Sequence, residues 1–275
     1  MSEEQHRLEV IELDLLLEAI YRAHGYDFRQ YARASLRRRF ALAMQELGEP
    51  TLTALQGRVL RDDTAFHTVL NRLSVTVTEM FRDPPFFKAL REEVLPVLDS
   101  YPYLKVWIAG CATGEEVYSL GILFKEEGLY ERTRFYATDI NQQSLKIAKE
   151  GIYPVRSMAA NTQNYHAAGG RGDFSDYYTA GYESLRISED IRGNMVFSHH
   201  NLASDGIFNE MNLIVCRNVL IYFNKALQKQ VLQLFHDSLS SLGYLGLGSK
   251  ETVRVNGESL FDEVIRGEKL FRKRA

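Results

Sequence analysis

Four short apolar segments, rich in β-branched residues and each ending among polar residues, constrain the fold of this chain more than any other feature. They are LKVWIAG (104–110), RFYATDI (134–140), MVFSHHNL (195–202) and MNLIVCRNV (211–219). At least three are followed by segments with helical spacing, for example EEVYSLGILFKEE and NQQSLKIAKEG. Strands that alternate with helices predict a parallel sheet whose crossover helices cover its faces. Two further apolar runs, GYLGLGS (243–249) and EKLFRKR (268–274), predict an antiparallel pair at the end of the sheet.

The first 75 residues have a different pattern, because apolar residues recur at helical spacing and no strand pattern interrupts them. This spacing is carried by Leu13, Leu16, Leu17 and Ile20, and then by Leu36, Phe40, Met44 and Leu47. We predict a helical domain with its linker over residues 1–82 and an α/β domain over residues 83–275. Residues 154–193 interrupt the alternation with turn signals and short alternating runs, which predicts an inserted subdomain or a functional loop.

The composition is that of an ordinary globular protein, with 45% hydrophobic and 25% charged residues. No apolar run reaches the roughly 20 residues that a membrane-spanning helix needs, and the acidic start MSEEQHRLEV does not resemble a signal peptide. The two cysteines, Cys111 and Cys216, favour a reducing compartment over a disulfide scaffold. We therefore expect a cytoplasmic protein, and nothing in the sequence requires more than a monomer.

One basic segment stands out against the net charge of −3. From Arg29 to Gln45 there are five arginines and no acidic residue, and Arg29, Arg33 and Arg37 lie at i, i+4 and i+8 on the predicted second helix. Such a stripe is typical either of a solvated helix face or of a surface for an acidic partner. Nucleic acid is a poor candidate, because the stripe lacks interleaved aromatic residues and the pI is about 6.2.

The strongest local signal for function is VWIAGCATGEEVYSL (106–120), in which a strand ends at Gly110 and a helix opens near Glu115. Glycines at the carboxyl end of the first parallel strand allow a ligand to approach the backbone closely. The N–H groups of a helix N-terminus often bind phosphate, but here Glu115 and Glu116 occupy the first turn and would repel a pyrophosphate. The loop therefore suits a ligand's ammonium group or hydroxyls, and a nicotinamide dinucleotide is disfavoured.

Polar residues also follow the three later strands. Asp139 ends YATDI, where a carboxylate suits bidentate hydrogen bonding to ribose hydroxyls. The next two strands end in HHNL, with Asn201 and Leu202, and in NLIVCRNVLIYF, with Arg217, Asn218 and Tyr222. Since the carboxyl ends of parallel strands meet at one edge of a sheet, these residues together predict a binding site at that edge.

This combination of motifs resembles the bacterial chemotaxis receptor methyltransferases (the CheR family), which esterify receptor glutamates using S-adenosylmethionine. LSVTVTEMFRDPPFF (73–87) is similar to the family's linker motif, AGCATGEEVYSL to its cofactor loop, ATDI to its ribose-binding strand, IVCRNVLIYF to its active-site strand and RGEKLFRKR to its closing strand. The resemblance implies a Rossmann-like S-adenosylmethionine-dependent methyltransferase domain with a small N-terminal all-helical domain. It also implies that residues 154–193 form an inserted β-subdomain, which some members use to bind a receptor tail.

The resemblance implies functional residues position by position. Cofactor contacts are implied for Thr76, Thr78, Arg82, Glu116 (less surely Glu115), Asp139, Asn201, Leu202, Arg217 and Asn218. Arg82 and Tyr222 correspond to residues near the transferred methyl group, which makes them the candidate catalytic pair. The region that faces the receptor's methylation helix contains Arg33, Arg37 and Arg38. Thr76 stands where the family most often has Asn, and Thr lacks the amide's paired donor and acceptor.

Other functions stay open at this point. The chain could be a methyltransferase of the same fold that acts on a protein carboxylate in another signalling pathway, or a regulator that binds S-adenosylmethionine or S-adenosylhomocysteine without turnover. Glutamate esterification needs neither a general base nor a metal, because a carboxyl group with a pKa of about 4.3 is already ionised at neutral pH. The seven histidines are scattered and make no obvious dyad, and we predict no metal site.

Overall fold

The structure of the protein, a computed structural model, describes residues 3–74, 78–257, 259–265 and 267–274. Its packing divides the chain into two compact units. A helical unit comprises residues 1–75 together with 222–228, and an α/β unit comprises residues 76–221 together with 229–275. The sequence predicts one boundary, after residue 82, and so assigns the segment 222–228 to the α/β domain instead of the helical one. Thr76 lies outside the described residues.

Within residues 3–74 the helical unit contains the helices α1 (Glu3–His24), α2 (Arg33–Leu47), α3 (Leu52–Val59) and α4 (Asp63–Leu73). The predicted helical spacing is confirmed for most of its residues, since Leu13, Leu16, Leu17, Ile20, Leu36 and Phe40 are buried. Met44 and Leu47, which continue the predicted spacing along α2, are only half-buried. Side chains cap two of the helices, because Thr51 accepts a hydrogen bond at the start of α3 and Asp62 accepts two at the start of α4.

Arg29 does not lie on the second helix, and that part of the prediction is wrong. The helix α2 begins only at Arg33, because the preceding backbone is bonded to the segment that returns to this unit. The Ala32 N–H donates to the Tyr222 carbonyl at 2.7 Å, which fixes an extended conformation that a helix could not keep.

The remaining elements follow in chain order. The strands are β1 (Leu104–Ala109), β2 (Thr133–Asp139), β3 (Ile152–Pro154), β4 (Tyr178–Ala180), β5 (Ser184–Ile187), β6 (Met195–His199), β7 (Met211–Cys216), β8 (Leu239–Leu247), β9 (Phe261–Glu263) and β10 (Leu270–Lys273). The helices are α5 (Pro84–Ala89), α6 (Leu95–Leu98), α7 (Glu115–Glu126), α8 (Gln142–Glu150), α9 (Met158–Ala167), α10 (Glu189–Arg192) and α11 (Lys225–Ser238), and a π-helical turn (Leu90–Val94) joins α5 to α6. Among the described helices, none is both long and apolar enough to span a bilayer.

The main sheet has seven strands in the order β6-β2-β1-β7-β8-β10-β9. The first five strands run parallel to their neighbours, whereas β10 is antiparallel to both β8 and β9. This arrangement confirms the predicted parallel sheet and its antiparallel closing pair. The chain runs outward from β1 through β2 to β6 and then returns to the other side of β1 with β7. The strand order therefore reverses between β1 and β7, which is where sheets of this type bind their ligands.

A second, three-stranded antiparallel sheet with the order β3-β5-β4 confirms the predicted inserted β-structure. The ten-residue helix α9, however, was not predicted within this insert. Its buried residues are Asn161 and Tyr165, which do not form a continuous apolar stripe, so the sequence shows no amphipathic helical pattern there. The Met80 N–H donates to Asn161 Oδ1 at 3.1 Å, which links this helix to the linker region that precedes α5.

The core of the α/β unit covers both faces of β1, as the alternation of side chains along a buried strand requires. On one face Val106 and Ile108 belong to a large apolar cluster that includes residues of α7. On the other face Trp107 packs edge-on against Phe235 of α11, and its indole N–H donates to Thr138 Oγ1 at 2.8 Å. This strand is therefore rigidly held up to the point where the polar loop begins.

Candidate functional site

The loop after β1 is fixed to the end of β2 by backbone hydrogen bonds. The N–H groups of Gly110 and Cys111 both donate to the Thr138 carbonyl, at 2.8 and 2.9 Å. Gly110 and Gly114 adopt φ angles of +77° and +95°, a region that glycine enters without steric strain. As predicted, α7 opens at Glu115 directly after this turn.

Asp139 connects two loops through its two carboxylate oxygens. Its Oδ2 accepts the Ala112 N–H at 2.9 Å, and its Oδ1 accepts the Asn141 N–H at 2.8 Å. Burial raises the pKa of Asp139, while these backbone hydrogen bonds act in the opposite direction. A carboxylate offers about four lone-pair positions, so capacity remains for the ribose hydroxyls that the sequence predicts here.

An ion pair crosses the point where the strand order reverses. Arg217, which follows β7 and has a side chain only 1% exposed, donates through Nη1 to Glu116 Oε2 at 2.6 Å. Its Nη2 donates to Asp83 Oδ2 and to the Arg82 carbonyl, both at 2.8 Å, and its guanidinium lies 4.3 Å from the centre of the Phe86 ring. Arg217 Nε is also buried but has no hydrogen-bond acceptor in the part of the chain that the structure describes.

Arg82 lies in a turn with an unusual backbone. Its neighbours Phe81 and Asp83 have φ angles of +52° and +56°, and such positive angles are rare for residues other than glycine. The Phe81 N–H donates to Ser119 Oγ of α7 at 2.9 Å, which holds the turn in place. Burial raises the pKa of Glu116, whereas the charges of Arg217 and Arg82 oppose this shift. The half-buried Arg82 therefore acts electrostatically on the acid at the start of α7.

Two further predicted residues, Asn201 and Leu202, are buried in a tight loop after β6. The Asn201 N–H donates to Asp205 Oδ2 at 2.8 Å, and Asn201 Oδ1 accepts the Ala203 N–H at 3.0 Å. The amide group of Asn201 is thus fixed in orientation by its own loop. Thr78, in the linker, is half-buried.

Comparison with known proteins identifies the kind of protein that has this site. A family model described as "CheR methyltransferase, SAM binding domain" matches residues 76–267, and one described as "CheR methyltransferase, all-alpha domain" matches residues 11–74. The chain belongs to the CheR methyltransferase family. The methyltransferase-family protein Cher3 of Pseudomonas putida is 52% identical over 264 residues, which cover 96% of this chain and 97% of that protein.

More distant CheR relatives include two chemotaxis protein methyltransferases. The protein from Listeria monocytogenes is 29% identical, with 83% of this chain and 85% of its own length covered. Chemotaxis protein methyltransferase 1 of Pseudomonas aeruginosa is 30% identical, with 67% of this chain and 69% of its own length covered.

The cofactor of this CheR protein is S-adenosylmethionine, and the residues at the sheet edge fit its chemistry. Glu116 and Asp139 are carboxylates, which can accept hydrogen bonds from an ammonium group or from ribose hydroxyls. The buried Nε–H of Arg217 is a donor that a carboxylate, such as that of the cofactor's amino-acid tail, would satisfy. The donor set therefore agrees with a zwitterionic ligand that also carries a sugar.

Tyr222, the second candidate catalytic residue, belongs to the helical unit of the CheR protein. The guanidinium of Arg39 lies 4.7 Å from the centre of the Tyr222 ring. Arg39 itself is buried and donates to the Arg72 carbonyl at 2.9 Å. The neighbouring Phe223 packs edge-on against Tyr31, with ring centres 4.9 Å apart. The tyrosine is therefore held by contacts within the helical unit, and no sequence pattern indicates its contact with Arg39.

The basic segment is largely neutralised within the helical unit. Arg33 pairs with Asp14 at 2.5 Å, and Arg37 pairs with Glu9 at 3.5 Å, so that acids of α1 face arginines of α2. Arg29, before α2, pairs with Glu18 and Asp27 at 2.9 and 2.8 Å. Arg38 is exposed. Of the three arginines for which we predict a docking role, two therefore already have carboxylate partners.

Two residues of the site escaped the sequence reasoning. Glu251 is a buried acid that accepts the Asn218 N–H at 3.0 Å, and Tyr153 of β3 donates its hydroxyl to the Thr113 carbonyl at 2.7 Å. Glu251 follows the carboxyl end of β8, so the rule that selected Asp139 and Arg217 would also have selected it. Tyr153 gives no such signal, because its contact depends on where the small sheet packs.

Both cysteines are free and buried. Cys111 lies in the loop after β1 and is 3% exposed, and Cys216 ends β7 and is 0% exposed. Burial, supported by nearby carboxylates, raises the pKa of both thiols well above the ordinary value. Thiols of this kind stay protonated and behave as small apolar side chains.

Proposed function

We propose that this protein transfers the methyl group of S-adenosylmethionine to glutamate side chains of chemoreceptors, which become methyl esters. One observation supports this proposal above the others, namely that the Glu116–Arg217 pair and Asp139 lie at one sheet edge and suit a sulfonium nucleoside with an amino-acid tail. The chemotaxis protein methyltransferases among its relatives support the choice of chemoreceptors as substrates.

In this proposal the α/β unit binds the cofactor. Asp139 accepts from the ribose hydroxyls, Glu116 accepts from the amino group and Arg217 donates to the carboxylate. The other predicted contacts come from Thr76, Thr78, Arg82, Asn201, Leu202 and Asn218. When bound, the cofactor supplies an electrophilic methyl group on a positively charged sulfur. The protein's task is to orient that group and to exclude water around it.

The substrate carboxylate needs placement rather than activation. Its unperturbed pKa of about 4.3 means that it is already a nucleophile at neutral pH. Correct orientation of two reactants lowers a barrier by roughly 7–11 kcal/mol. Because the carboxylate and the sulfonium both lose charge as the methyl group moves, residues that bind either charge too firmly would stabilise the ground state.

Arg82 and Tyr222 are the residues to which we assign placement. The half-buried Arg82 lies close enough to Glu116 for its charge to oppose the rise in the pKa of that acid, and in this proposal its guanidinium orients the substrate carboxylate. Tyr222, held against Arg39, provides one hydrogen bond beside the transferred methyl group. Arg33, Arg37 and Arg38 would face the acidic methylation helix of the receptor.

The direct test is to incubate the protein with chemoreceptor-containing membranes and S-adenosylmethionine labelled in its methyl group. We expect label in the receptor that mild alkali releases as methanol, because carboxyl esters hydrolyse whereas methylated amines do not. A matched receptor whose methylatable glutamates are replaced by alanine should stay unlabelled. Folded protein that binds S-adenosylhomocysteine but labels no receptor would overturn the proposal and favour a regulator without turnover.

The assigned roles are tested with Arg82→Ala and Tyr222→Phe. Loss of one hydrogen bond to a charged group corresponds to about 1.5–3 kcal/mol, so we expect methyl transfer to fall by roughly ten- to a hundred-fold. Tyr222→Phe should leave S-adenosylhomocysteine affinity unchanged. Arg254→Ala removes an exposed arginine of the α/β unit, to which Arg82 also belongs, and serves as the control. Full activity in both test variants would show that these roles are wrong.

A further inference from the structure

Glu251 is a buried carboxylate, 4% exposed, to which the proposed cofactor contacts assign no role. Its Oε2 accepts the Gly248 N–H at 2.6 Å and the Asn218 N–H at 3.0 Å, and its Oε1 accepts the Ile221 N–H at 3.3 Å. Burial raises the pKa of Glu251, and the surrounding backbone N–H groups, including that of Leu220, oppose this shift. One side chain thus bonds the loop after β7 to the loop after β8, and hydrogen bonds of this charge-assisted kind are stronger than neutral ones.

The two loops approach each other unusually closely at this point. A Cβ atom added to Gly248 would lie 2.8 Å from both the Asn218 nitrogen and Glu251 Oε2. Asn218 itself has a φ angle of +60°, a conformation that residues other than glycine keep only where the surroundings enforce it. The carboxylate of Glu251, bonded to the Asn218 N–H, is the group that enforces it.

We infer that Glu251 is a positioning residue for the cofactor. Its carboxylate fixes the backbone at Asn218, and that backbone sets the direction in which Asn218 and the preceding Arg217 present their side chains. This role rests on the proposed cofactor contacts of Arg217 and Asn218. A residue that only stabilised the fold would affect the melting temperature without a selective effect on cofactor binding.

The first test is Glu251→Gln, which keeps the shape of the side chain but replaces one accepting oxygen with an NH2 group that cannot accept. We expect the affinity for S-adenosylhomocysteine, measured by calorimetry on folded protein, to fall about tenfold or more, the effect of losing one hydrogen bond to a charged group. The kcat at saturating S-adenosylmethionine should fall much less, because Glu251 does not contact the reacting groups. Glu131→Gln makes the same chemical change at an exposed site and should leave the affinity unchanged.

A double-mutant cycle separates positioning from general destabilisation. We expect the affinity losses of Glu251→Gln and Asn218→Ala to be less than additive, because one acts through the other. The losses of Glu251→Gln and Asp139→Asn should add, since Asp139 lies on β2, on the other side of β1. Additive losses in both pairs would overturn the inference, as would unchanged affinity in Glu251→Gln with a lowered melting temperature.

Gly248→Ala provides a second route if Glu251→Gln does not fold. The added methyl group would press on both Asn218 and the Glu251 carboxylate, and it should cause the same selective loss of S-adenosylhomocysteine affinity. Wild-type affinity in a folded Gly248→Ala variant would contradict the inference. Because these readouts are binding constants, a failure of receptor methylation would overturn the proposed function and leave this test intact.

Discussion

Four residues other than glycine adopt left-handed backbone conformations around the carboxyl edge of the main sheet: Phe81, Asp83, Ala112 and Asn218. Each is held by a polar side chain from another element. The holding side chains are, in the same order, Ser119, Arg217, Asp139 and Glu251. Such conformations persist only where several contacts enforce them, and they are typical of sites that must be rigid before a ligand arrives.

The crowding at Gly114 leads to a prediction that uses a matched glycine. Gly114 has φ +95°, and an added Cβ would lie 2.8 Å from the Ala148 side chain and 3.1 Å from the Tyr153 hydroxyl, whereas Gly128 has φ +72° and open space around it. We expect Gly128→Ala to lower the free energy of unfolding by about 1–2 kcal/mol. Gly114→Ala should lower it by more and also weaken S-adenosylhomocysteine binding, because the loop must shift.

Chemical denaturation and calorimetry on the two glycine variants would measure these effects. Equal losses of stability with unchanged cofactor affinity in both variants would show that close packing against β3 and α8 is unimportant for the loop.

At the level of helices, α1 and α2 form a surface on which Arg33 and Arg37 already have carboxylate partners. The contacts of Arg33 with Asp14 and of Arg37 with Glu9 are both partly exposed, with side chains about one third to one half accessible. Exposed ion pairs of this kind contribute only about 0.2–1 kcal/mol. An acidic partner helix could therefore replace the carboxylates of α1 at little energetic cost.

We expect Asp14→Asn to strengthen binding of the receptor by releasing Arg33. The KM for receptor should fall by up to about fivefold at low salt, in keeping with the weakness of an exposed pair, and the difference should vanish at high salt. Glu46→Gln changes the net charge equally and breaks an exposed pair with Arg72 elsewhere in the unit, so it controls for general electrostatics. Identical KM values for the two variants would contradict this prediction.

A second feature at this level is a buried network that connects α7, α9 and the insert to the π-helical turn. Arg91 and Glu126 form an ion pair with side chains only 7% and 4% exposed. Glu126 also accepts from the hydroxyls of Tyr165 and Tyr177 and from the Arg171 N–H. Since removing one member would leave buried polar groups with fewer partners, the network should matter for stability.

The pKa of Glu126 makes that stability depend on pH. Burial raises this pKa, but hydrogen bonds from Tyr165 and Arg91 outweigh burial and leave it below the ordinary value of 4.5. A carboxyl group with a lowered folded pKa stabilises the fold above its unfolded pKa and loses that contribution as the pH falls through the folded value. We therefore expect Glu126→Gln to be less stable than wild type at neutral pH, with a gap that narrows below about pH 4.5.

Denaturant unfolding at a series of pH values would measure that gap for Glu126→Gln. The exposed Glu131→Gln variant should differ from wild type by the same small amount throughout. A gap for Glu126→Gln that does not change with pH would rule out the assigned role of this carboxylate.

Across the two units, the sequence predicted what depends on local pattern and missed what depends on distant partners. Strands and helices could be predicted because their apolar runs are short and clearly bounded, and Asp139 and Arg217 because polar residues follow strands. The pairing of Arg217 with Glu116 and Asp83 could not be predicted, since these residues are 101 and 134 positions away along the chain. The helix α9 was missed because its buried residues form no continuous apolar stripe.

The segment 222–228 predicts how the chain responds to truncation. Phe223 and Leu227 are buried in the structure, and the segment that contains them belongs to the helical unit. A fragment of residues 76–275 would retain this segment without residues 1–75. We expect it to melt at a lower temperature than the full chain, to bind an apolar dye, and to regain stability when it is co-expressed with residues 1–75. A fragment as stable as the full chain would contradict this.

The two buried cysteines have a practical consequence. Because Cys111 lies in the loop after β1 and Cys216 ends the neighbouring strand β7, both at the carboxyl edge of the main sheet, a thiol reagent reaches these buried groups only when that edge opens. The rate at which such a reagent modifies the native protein therefore measures how often this edge of the sheet opens locally. S-adenosylhomocysteine should lower this modification rate by stabilising the closed state. The two native thiols allow the measurement without an engineered probe.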